Sequence, residues 1–194
     1  MPMGILLNIG CGGDIRSGYV NIDAFAEGDL KMDAGCLGFP RNSVDGVYSS
    51  HVLEHLSKHE IGDVLAEWNR VLKVTGTVEV IVPDFPWCLK QWLRLSERSR
   101  WDWALDTIFG LQNHPGEFHK TGFSAERLGQ LLTEAGFRDV DISARFDHGT
   151  RSLVAVASGG KRCVPRKTHY ISRWIRKHLV FLFYRVATYL SSGS

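Results

Sequence analysis

A glycine turn and two later aspartates are the first residues of this chain whose types and spacing could do chemistry. The turn is Asn8-Ile9-Gly10-Cys11-Gly12-Gly13, and it follows an apolar, strand-like run. Glycines let the backbone bend sharply and approach a ligand without Cβ clashes. Asp23 and Asp33 each follow another short apolar run. A carboxylate at such a strand end can bind the ribose hydroxyls or the purine amine of a nucleoside.

The spacing of the glycines distinguishes two kinds of nucleoside cofactor. A dinucleotide site requires G-x-G-x-x-G and a helix whose N-terminus holds the pyrophosphate. Here Ile15 stands where the third glycine would be, and residues 10–18 are too few for a full crossover helix. S-adenosylmethionine carries no phosphate, so its site needs the turn without the helix. The pattern therefore favours S-adenosylmethionine over a nicotinamide dinucleotide.

The candidate catalytic residues are His51, His119 and Asp84. His51 follows Ser49-Ser50 at a strand end, where the reactive methyl of a bound cofactor is expected. Histidine is the natural general base near neutral pH if the acceptor is a hydroxyl. Asp84 follows a further strand, although an aspartate after a proline also forms turns. Glu54 is more simply interpreted as a helix-opening carboxylate that accepts hydrogen bonds from free amides.

A metal site is the alternative interpretation of the histidines. His51, His55 and His59 are spaced at i, i+4 and i+8, and histidines four apart on a helix can chelate zinc. The run begins at a strand end, however, so only part of it need be helical, and no further ligand set is evident. Surface or capping histidines are favoured, and no metal is predicted.

Seven short apolar runs predict the strands that position these residues, at 5–9, 19–22, 30–32, 46–49, 77–82, 140–144 and 153–157. Apolar runs that end in glycine, aspartate or proline are typical of a buried parallel sheet with its carboxyl ends facing a ligand. Only a short polar turn separates the last two runs, which indicates an antiparallel hairpin. The expected fold is an open, mostly parallel α/β sheet with a terminal antiparallel hairpin.

Two helices are predicted from apolar residues at helical spacing. The first spans about Lys58 to Lys73 and is expected to end before Gly76. The second spans Ser124 to Ala135, with Ser124 at its N-terminus and Gly136 after its end.

Three stretches carry a resemblance to a known family: L-N-I-G-C-G-G near the N-terminus, N-I-D at 21–23, and F-P-R-N-S-V-D-G-V-Y-S-S-H-V-L-E-H-L at 39–56. They resemble the type 11 group of class I S-adenosylmethionine-dependent methyltransferases, over roughly residues 5–158. The resemblance implies a Rossmann-like, seven-stranded fold and S-adenosylmethionine as cofactor. It implies that the glycine loop wraps the methionine moiety, that Asp23 binds the ribose, and that Asp33 faces adenine. The cofactor-binding residues implied are Asn8, Gly10, Cys11, Gly12, Asp23, Asp33, Ala34, Ser49, Ser50 and His51.

The short first crossover and the segment His119-Lys120-Thr121-Gly122-Phe123-Ser124 resemble a compact bacterial subgroup that often accompanies polysaccharide and glycan assembly. The leading interpretation is an EC 2.1.1 methyltransferase that acts on a small-molecule or glycan-linked acceptor, with methylation expected at oxygen. The alternative is a non-catalytic member of the fold that serves as a binding or assembly subunit. A nucleic-acid acceptor is disfavoured, because no N/D-P-P-Y motif follows the fourth strand and the net charge is only +2.

Residues 1–158 are expected to form the domain, with an aromatic-rich insertion at 85–122 that builds either an acceptor pocket or its own small core. Residues 159–194 predict a basic amphipathic helix. That helix could pack on the domain, which is the favoured interpretation, or contact an anionic membrane or a second copy.

The sequence predicts a cytoplasmic protein, because its cysteines are scattered and it has neither a signal-like N-terminus nor a long apolar stretch. Peripheral contact at the inner membrane face is the alternative.

Overall fold

Seven strands form one sheet in the order β3-β2-β1-β4-β5-β7-β6. The computed structural model describes residues 4–160, apart from residues 114 and 148. The strands are β1 (Leu6–Ile9), β2 (Val20–Asp23), β3 (Leu30–Lys31), β4 (Val44–Ser50), β5 (Leu72–Pro83), β6 (Arg138–Asp147) and β7 (Thr150–Ser158). The pairs among β1 to β5 are parallel, and β7 runs antiparallel to both β5 and β6. The predicted fold class, including its single reversed strand, is confirmed.

The first crossover contains no helix, as the sequence predicts, and two buried asparagines hold it in place. Asn8 Nδ2 donates to the carbonyl of Asp14 at 2.7 Å and to Asn21 Oδ1 at 2.9 Å. The backbone N–H of Arg16 donates to the same Asn21 Oδ1 at 2.8 Å. Buried amide groups that are fully hydrogen-bonded fix a loop geometry. This network therefore connects β1 to β2 without a helix.

The helices are α1 (Ile61–Val71), α2 (Phe85–Arg94), α3 (Glu97–Ser99), α4 (Leu105–Phe109) and α5 (Ala125–Glu134), with a 3₁₀ turn at Leu53–His55 and a π-helical turn at Arg100–Ala104.

Helix α1 is shorter than predicted at both ends. The Glu60 side chain accepts from the Ser57 N–H at 2.8 Å in a turn before it, and Leu72 is already extended and paired with Val44. The prediction that Gly76 ends this helix is wrong. Gly76 lies inside β5, where a Cβ would lie 2.7 Å from the Asp45 carbonyl oxygen.

The core lies between α1, α5 and the sheet. The apolar face predicted for α1 is buried, and Trp68 at its centre has no exposed surface. The apolar spacing of the second predicted helix comes from Leu128, Leu131 and Leu132, and all three are buried in α5. Ser124 is the N-cap of α5, and its Oγ accepts from the Arg127 N–H at 3.2 Å. These two helices therefore fix one face of the sheet.

Several tryptophans of the insertion form edge-to-face ring pairs. Trp87 contacts the rings of Trp103 and Phe146, with ring centroids 6.5 and 5.5 Å away, and Trp92 contacts Trp101 at 6.3 Å. Edge-to-face pairs at these separations are favourable packing arrangements. Trp101, Trp103, Phe109 and Phe118 nevertheless remain 37–56% exposed, so the small core expected for the insertion stays a prediction.

The basic helix predicted for 159–194 lies outside the described residues from 161 onward, as do its proposed membrane and dimer contacts. Within the described part of the chain, every helix is too short or too polar to cross a bilayer.

Candidate functional site

A cavity of about 1080 Å³ lies at the carboxyl ends of β1, β2, β3 and β4. In sheets of this kind ligands bind outside the carboxyl ends of the strands. Small-molecule sites typically have volumes of roughly 300–1000 Å³, so this cavity has room for a nucleoside cofactor and a second ligand. The predicted cofactor residues that line it are Gly10, Gly12, Asp23, Asp33, Ala34 and His51.

Four other predicted cofactor residues do not line this cavity. Asn8 lies in the buried network of the first crossover. The Ser49 hydroxyl donates to the Ile9 carbonyl at 3.1 Å between β4 and β1, and Ser50 is the last residue of β4. Cys11 is 4% exposed, and burial, with Asp23 nearby, raises the pKa of its thiol. The buried side chains of Asn8, Cys11 and Ser49 therefore lie behind the cavity surface, and half-buried Ser50 is not among the lining residues.

The glycine turn has the backbone geometry that its composition predicts. Gly10 and Gly12 both have positive φ, +70° and +50°, a conformation that other residues rarely adopt. A Cβ on Gly10 would collide with the Val52 side chain. A Cβ on Gly12, by contrast, would meet nothing within 4 Å. Gly10 thus packs against the Val52 side chain, whereas the space beside Gly12 is open and lets a ligand approach the backbone closely.

Asp23 ties this turn to the end of β2. Its Oδ2 accepts from the Gly12 N–H at 2.8 Å, and its Oδ1 accepts from the N–H groups of Phe25 and Ala26 at 2.7 and 2.8 Å. Burial alone would raise the pKa of Asp23, but these backbone hydrogen bonds outweigh it and hold the pKa below its ordinary value. Asp23 therefore faces the cavity as a charged carboxylate and also fixes the glycine turn.

The third wall of the cavity combines carboxylate and apolar groups. Asp33 Oδ1 accepts from the Gly35 N–H at 2.8 Å, and the Ala34 carbonyl accepts from Trp68 Nε1 at 2.9 Å. Phe25 and Met32 also line the cavity. Carboxylates that can accept hydrogen bonds from hydroxyl or amine groups, beside apolar surface for a purine ring, fit an adenosyl group.

His51 occupies a strained position at the end of β4. Its φ is +56°, which is uncommon for a residue with a side chain and is found disproportionately at functional sites. Its N–H donates to the Ile81 carbonyl at 2.9 Å, and its Nδ1 lies 3.0 Å from Glu54 Oε1. Glu54 therefore contacts an imidazole through this oxygen, in contrast to the helix-capping role expected from the sequence.

His55 and His119 also lie close to Glu54. The two imidazole rings meet edge to face, with centroids 5.0 Å apart. Burial lowers the pKa of His119 below its ordinary value, Glu54 acts in the opposite direction, and His55 and His51 add to the lowering. His55 lines the large cavity, whereas Glu54 and His119 line a small cavity beside it.

Asp84 is placed apart from these histidines. It is the N-cap of α2, where its carboxylate accepts from the Trp87 N–H at 3.2 Å. It also forms an ion pair with Arg151, with Nε 3.2 Å from Oδ2. Asp84 lines neither cavity, so these contacts agree with the turn-forming interpretation.

The insertion contributes cavity residues that the sequence argument did not single out. Glu117 and Lys120 line the large cavity together with Pro115 and Gly116. The 119–124 segment, which resembles the glycan-associated subgroup, contains Lys120, whereas nothing in the local sequence pattern indicates the other three. These residues come from the aromatic insertion, but its tryptophans are not among the residues lining the cavity.

The comparisons with known proteins agree with this geometry. The family model described as "Methyltransferase domain", of type 11, matches residues 14–80, a range that includes Asp23, Asp33 and His51. No curated protein matches the sequence.

Several solved structures share the fold. A structure described as S-adenosylmethionine-dependent methyltransferases from Methanosarcina mazei is 18% identical, with a TM-score of 0.58 over 81% of this chain and 93% of that one. A methyltransferase from Archaeoglobus fulgidus is 19% identical, with a TM-score of 0.54 over 81% and 87% of the two chains. A possible histamine N-methyltransferase from Thermotoga maritima is 17% identical, with a TM-score of 0.54 over 82% and 84%. At these identities the likeness concerns the fold. Residues 14–80 thus match a methyltransferase domain within a Rossmann-like methyltransferase fold, and S-adenosylmethionine is the cofactor supported by the match, the fold and the cavity.

Proposed function

We propose that this protein transfers a methyl group from S-adenosylmethionine to a hydroxyl oxygen of a small-molecule or glycan-linked acceptor. When bound, the cofactor supplies an electrophilic methyl on a sulfonium. The protein's own residues must hold the cofactor, align the acceptor with the methyl group and receive the proton that the hydroxyl loses. Alignment alone contributes much of the catalysis of such a displacement.

The arrangement of His51 and Glu54 is the observation that carries this proposal. Glu54 is 1% exposed, and its Oε1 lies 3.0 Å from His51 Nδ1. In the tautomer whose Nδ1–H donates to this carboxylate, Nε2 is the proton-accepting atom of the ring. A buried carboxylate also stabilises the imidazolium that forms when the ring takes up a proton. Because His51 lines the large cavity, it can act as general base on an acceptor hydroxyl bound there.

Most of the cavity surface is apolar, but four charged residues in its lining favour an acceptor with hydroxyl groups. Glu60, Asp63, Glu117 and Lys120 all line it, and carboxylate and ammonium groups bind the hydroxyls of polar small molecules. The glycan-linked acceptor class comes from the resemblance of the 119–124 segment to the glycan-associated subgroup. The polar lining agrees with that class.

Cofactor binding is tested first, by calorimetry of the full chain with S-adenosylmethionine and S-adenosylhomocysteine. We expect Asp23→Ala to abolish or strongly weaken binding, because it removes both a cavity carboxylate and the anchor of the glycine turn. Absence of binding to the unmodified protein would contradict the proposal.

Turnover is tested with matched panels of hydroxyl and amine acceptors. We expect methylation of a sugar or other hydroxyl compound, and a decrease in kcat of about 10²–10⁴-fold in His51→Gln, the usual contribution of a general base. Because His51 also lines the cofactor cavity, kcat of this variant is measured at saturating S-adenosylmethionine and its cofactor affinity is measured separately by calorimetry, which distinguishes loss of the base from loss of the site. Methylation confined to amines would contradict the assignment to oxygen. Cofactor binding without turnover on either panel would favour the non-catalytic alternative.

A further inference from the structure

Three side chains able to ligate a metal converge beside the cofactor cavity. Glu54 and His55 are neighbours in the 3₁₀ turn Leu53–His55, and His119 comes from the end of the insertion. One ligand atom from each lies within 4.8 Å of the corresponding atoms of the other two. Two imidazoles and a carboxylate form the protein ligand set of many open zinc and iron sites. The sequence predicts no metal at His51, His55 and His59, because the run begins at a strand end and no further ligand set is evident. The fold instead brings His119 to Glu54 and His55.

Glu54 Oε2 provides an independent indication that a cation belongs here. Glu54 is 1% exposed, and its Oε1 is engaged by His51. Oε2 is buried and has no hydrogen-bond partner among the described residues. A buried carboxylate oxygen without a partner is strongly unfavourable, and buried charges in proteins are normally paired or coordinate metals. A divalent cation on Oε2 would supply the missing partner.

The backbone around the three ligands is held firmly. The N–H groups of Lys120 and Thr121 donate to the Glu54 carbonyl at 2.7 and 3.1 Å, and Thr121 Oγ1 donates to the Leu56 carbonyl at 2.7 Å. The His119 N–H donates to the Phe109 carbonyl at 2.9 Å. These bonds fix the end of the insertion against the 3₁₀ turn. A rigid backbone favours metal binding, because the ligands lose little conformational entropy when the ion binds.

The surroundings of His55 also suit a metal ligand. Its Nδ1 lies 3.3 Å from the Phe118 carbonyl oxygen. A histidine that binds a metal through one ring nitrogen commonly donates the other N–H to a backbone carbonyl or carboxylate, which fixes the ring and its tautomer. This contact leaves Nε2 as the ligating atom of His55.

We propose that Glu54, His55 and His119 bind a divalent transition-metal ion, with zinc as the best match to these ligands. Imidazole nitrogen suits zinc, iron, cobalt and nickel, whereas magnesium and calcium prefer all-oxygen sites. Three protein ligands leave at least one coordination position for water or another small ligand. Since His55 also lines the large cavity, the ion would lie in the wall of the site. This proposal concerns metal binding and stands independently of the methyl-transfer reaction.

The test uses the full chain, treated with a chelator and then titrated with ZnCl₂ by calorimetry and with CoCl₂ by visible absorption. We expect a zinc site that Glu54→Gln and His119→Gln each weaken by more than the roughly 10–100-fold that loss of an outer-shell partner costs. His59→Gln is the matched control, because it removes an exposed histidine outside the cluster and should leave zinc affinity unchanged. Equal zinc affinity in the unmodified protein and both cluster variants would overturn the proposal.

His119→Cys keeps the test decisive if the glutamine variants fold poorly. A thiolate at this position should still bind cobalt and should add an intense cobalt–thiolate charge-transfer band that the unmodified protein lacks. Folding is monitored by circular dichroism, and added zinc should raise the Tm of the unmodified protein and of His59→Gln. A folded His119→Cys variant that binds cobalt without this band would place residue 119 outside the site and would overturn the proposal.

Discussion

The cofactor side of the cavity and the Glu54–His55–His119 cluster are built in contrasting ways. The cofactor side is held by a backbone turn and by hydrogen bonds between residues close in sequence. The Asp23 carboxylate accepts from the N–H groups of Gly12, Phe25 and Ala26. The cluster is assembled from two distant segments, joined where Lys120 and Thr121 donate to the Glu54 carbonyl. The first region depends on local conformation, and the second depends on the insertion folding back onto the 3₁₀ turn. Mutations should therefore separate them.

Gly10→Ala should have the largest effect and should be confined to the cofactor side. It forces a residue with a Cβ into positive φ, a strain of about 1–3 kcal/mol, and the new methyl collides with Val52. We expect loss of S-adenosylhomocysteine binding by calorimetry and a lower free energy of unfolding in urea.

The matched control is Gly13→Ala in the same turn, where a Cβ meets nothing within 4 Å and φ is not positive. This variant should keep both stability and cofactor affinity. If Gly10→Ala bound the cofactor as well as Gly13→Ala does, the local-geometry account of the turn would be wrong.

Asp23→Asn should produce a smaller, pH-dependent loss of stability. The asparagine NH₂ must face one of the N–H donors now bound by the carboxylate, and a buried donor left unsatisfied costs about 1–3 kcal/mol. Because the pKa of Asp23 is lowered in the folded state, the stability it contributes is present above the ordinary pKa of 3.8 and is lost as pH falls through the lower folded value. Urea unfolding from neutral to acidic pH should show the difference between the two proteins shrinking below about pH 4. A difference that grows on acidification would contradict this sign.

Thr121→Val should have the smallest effect and should act on the cluster alone. It removes the 2.7 Å hydrogen bond to the Leu56 carbonyl, a net loss of about 0.5–1.5 kcal/mol. We expect weaker zinc binding and unchanged affinity for S-adenosylhomocysteine. Thr133→Val is the control, since it removes a hydroxyl bond of 2.8 Å within one exposed helix turn and should change neither affinity. Equal zinc affinities of the two variants would show that this tertiary bond does not position the cluster.

Much of the fold was predictable because its signals are periodic and local. The buried face of α1, the Ser124 cap of α5 and the reversed β7 follow from apolar spacing and turn residues, which act over a few positions. The end of α1 was not predictable in this way. Leu72 continues the helical pattern of apolar residues, but it pairs with Val44 and belongs to β5. Which residue pairs with it in the neighbouring strand cannot be read from the residues around Leu72.

The candidate site divides along the same line. The sequence by itself determined the glycine turn, the acids at the ends of β2 and β3, and the position of His51 after β4, because each depends on where one strand ends. Only the tertiary structure decided that Asn8 and Ser49 form buried hydrogen bonds, that Asp84 caps α2, and that Glu54 lies close to His51, His55 and His119. Those outcomes depend on which segments pack together, and such long-range contacts are set by burial across the whole core rather than by neighbouring residues.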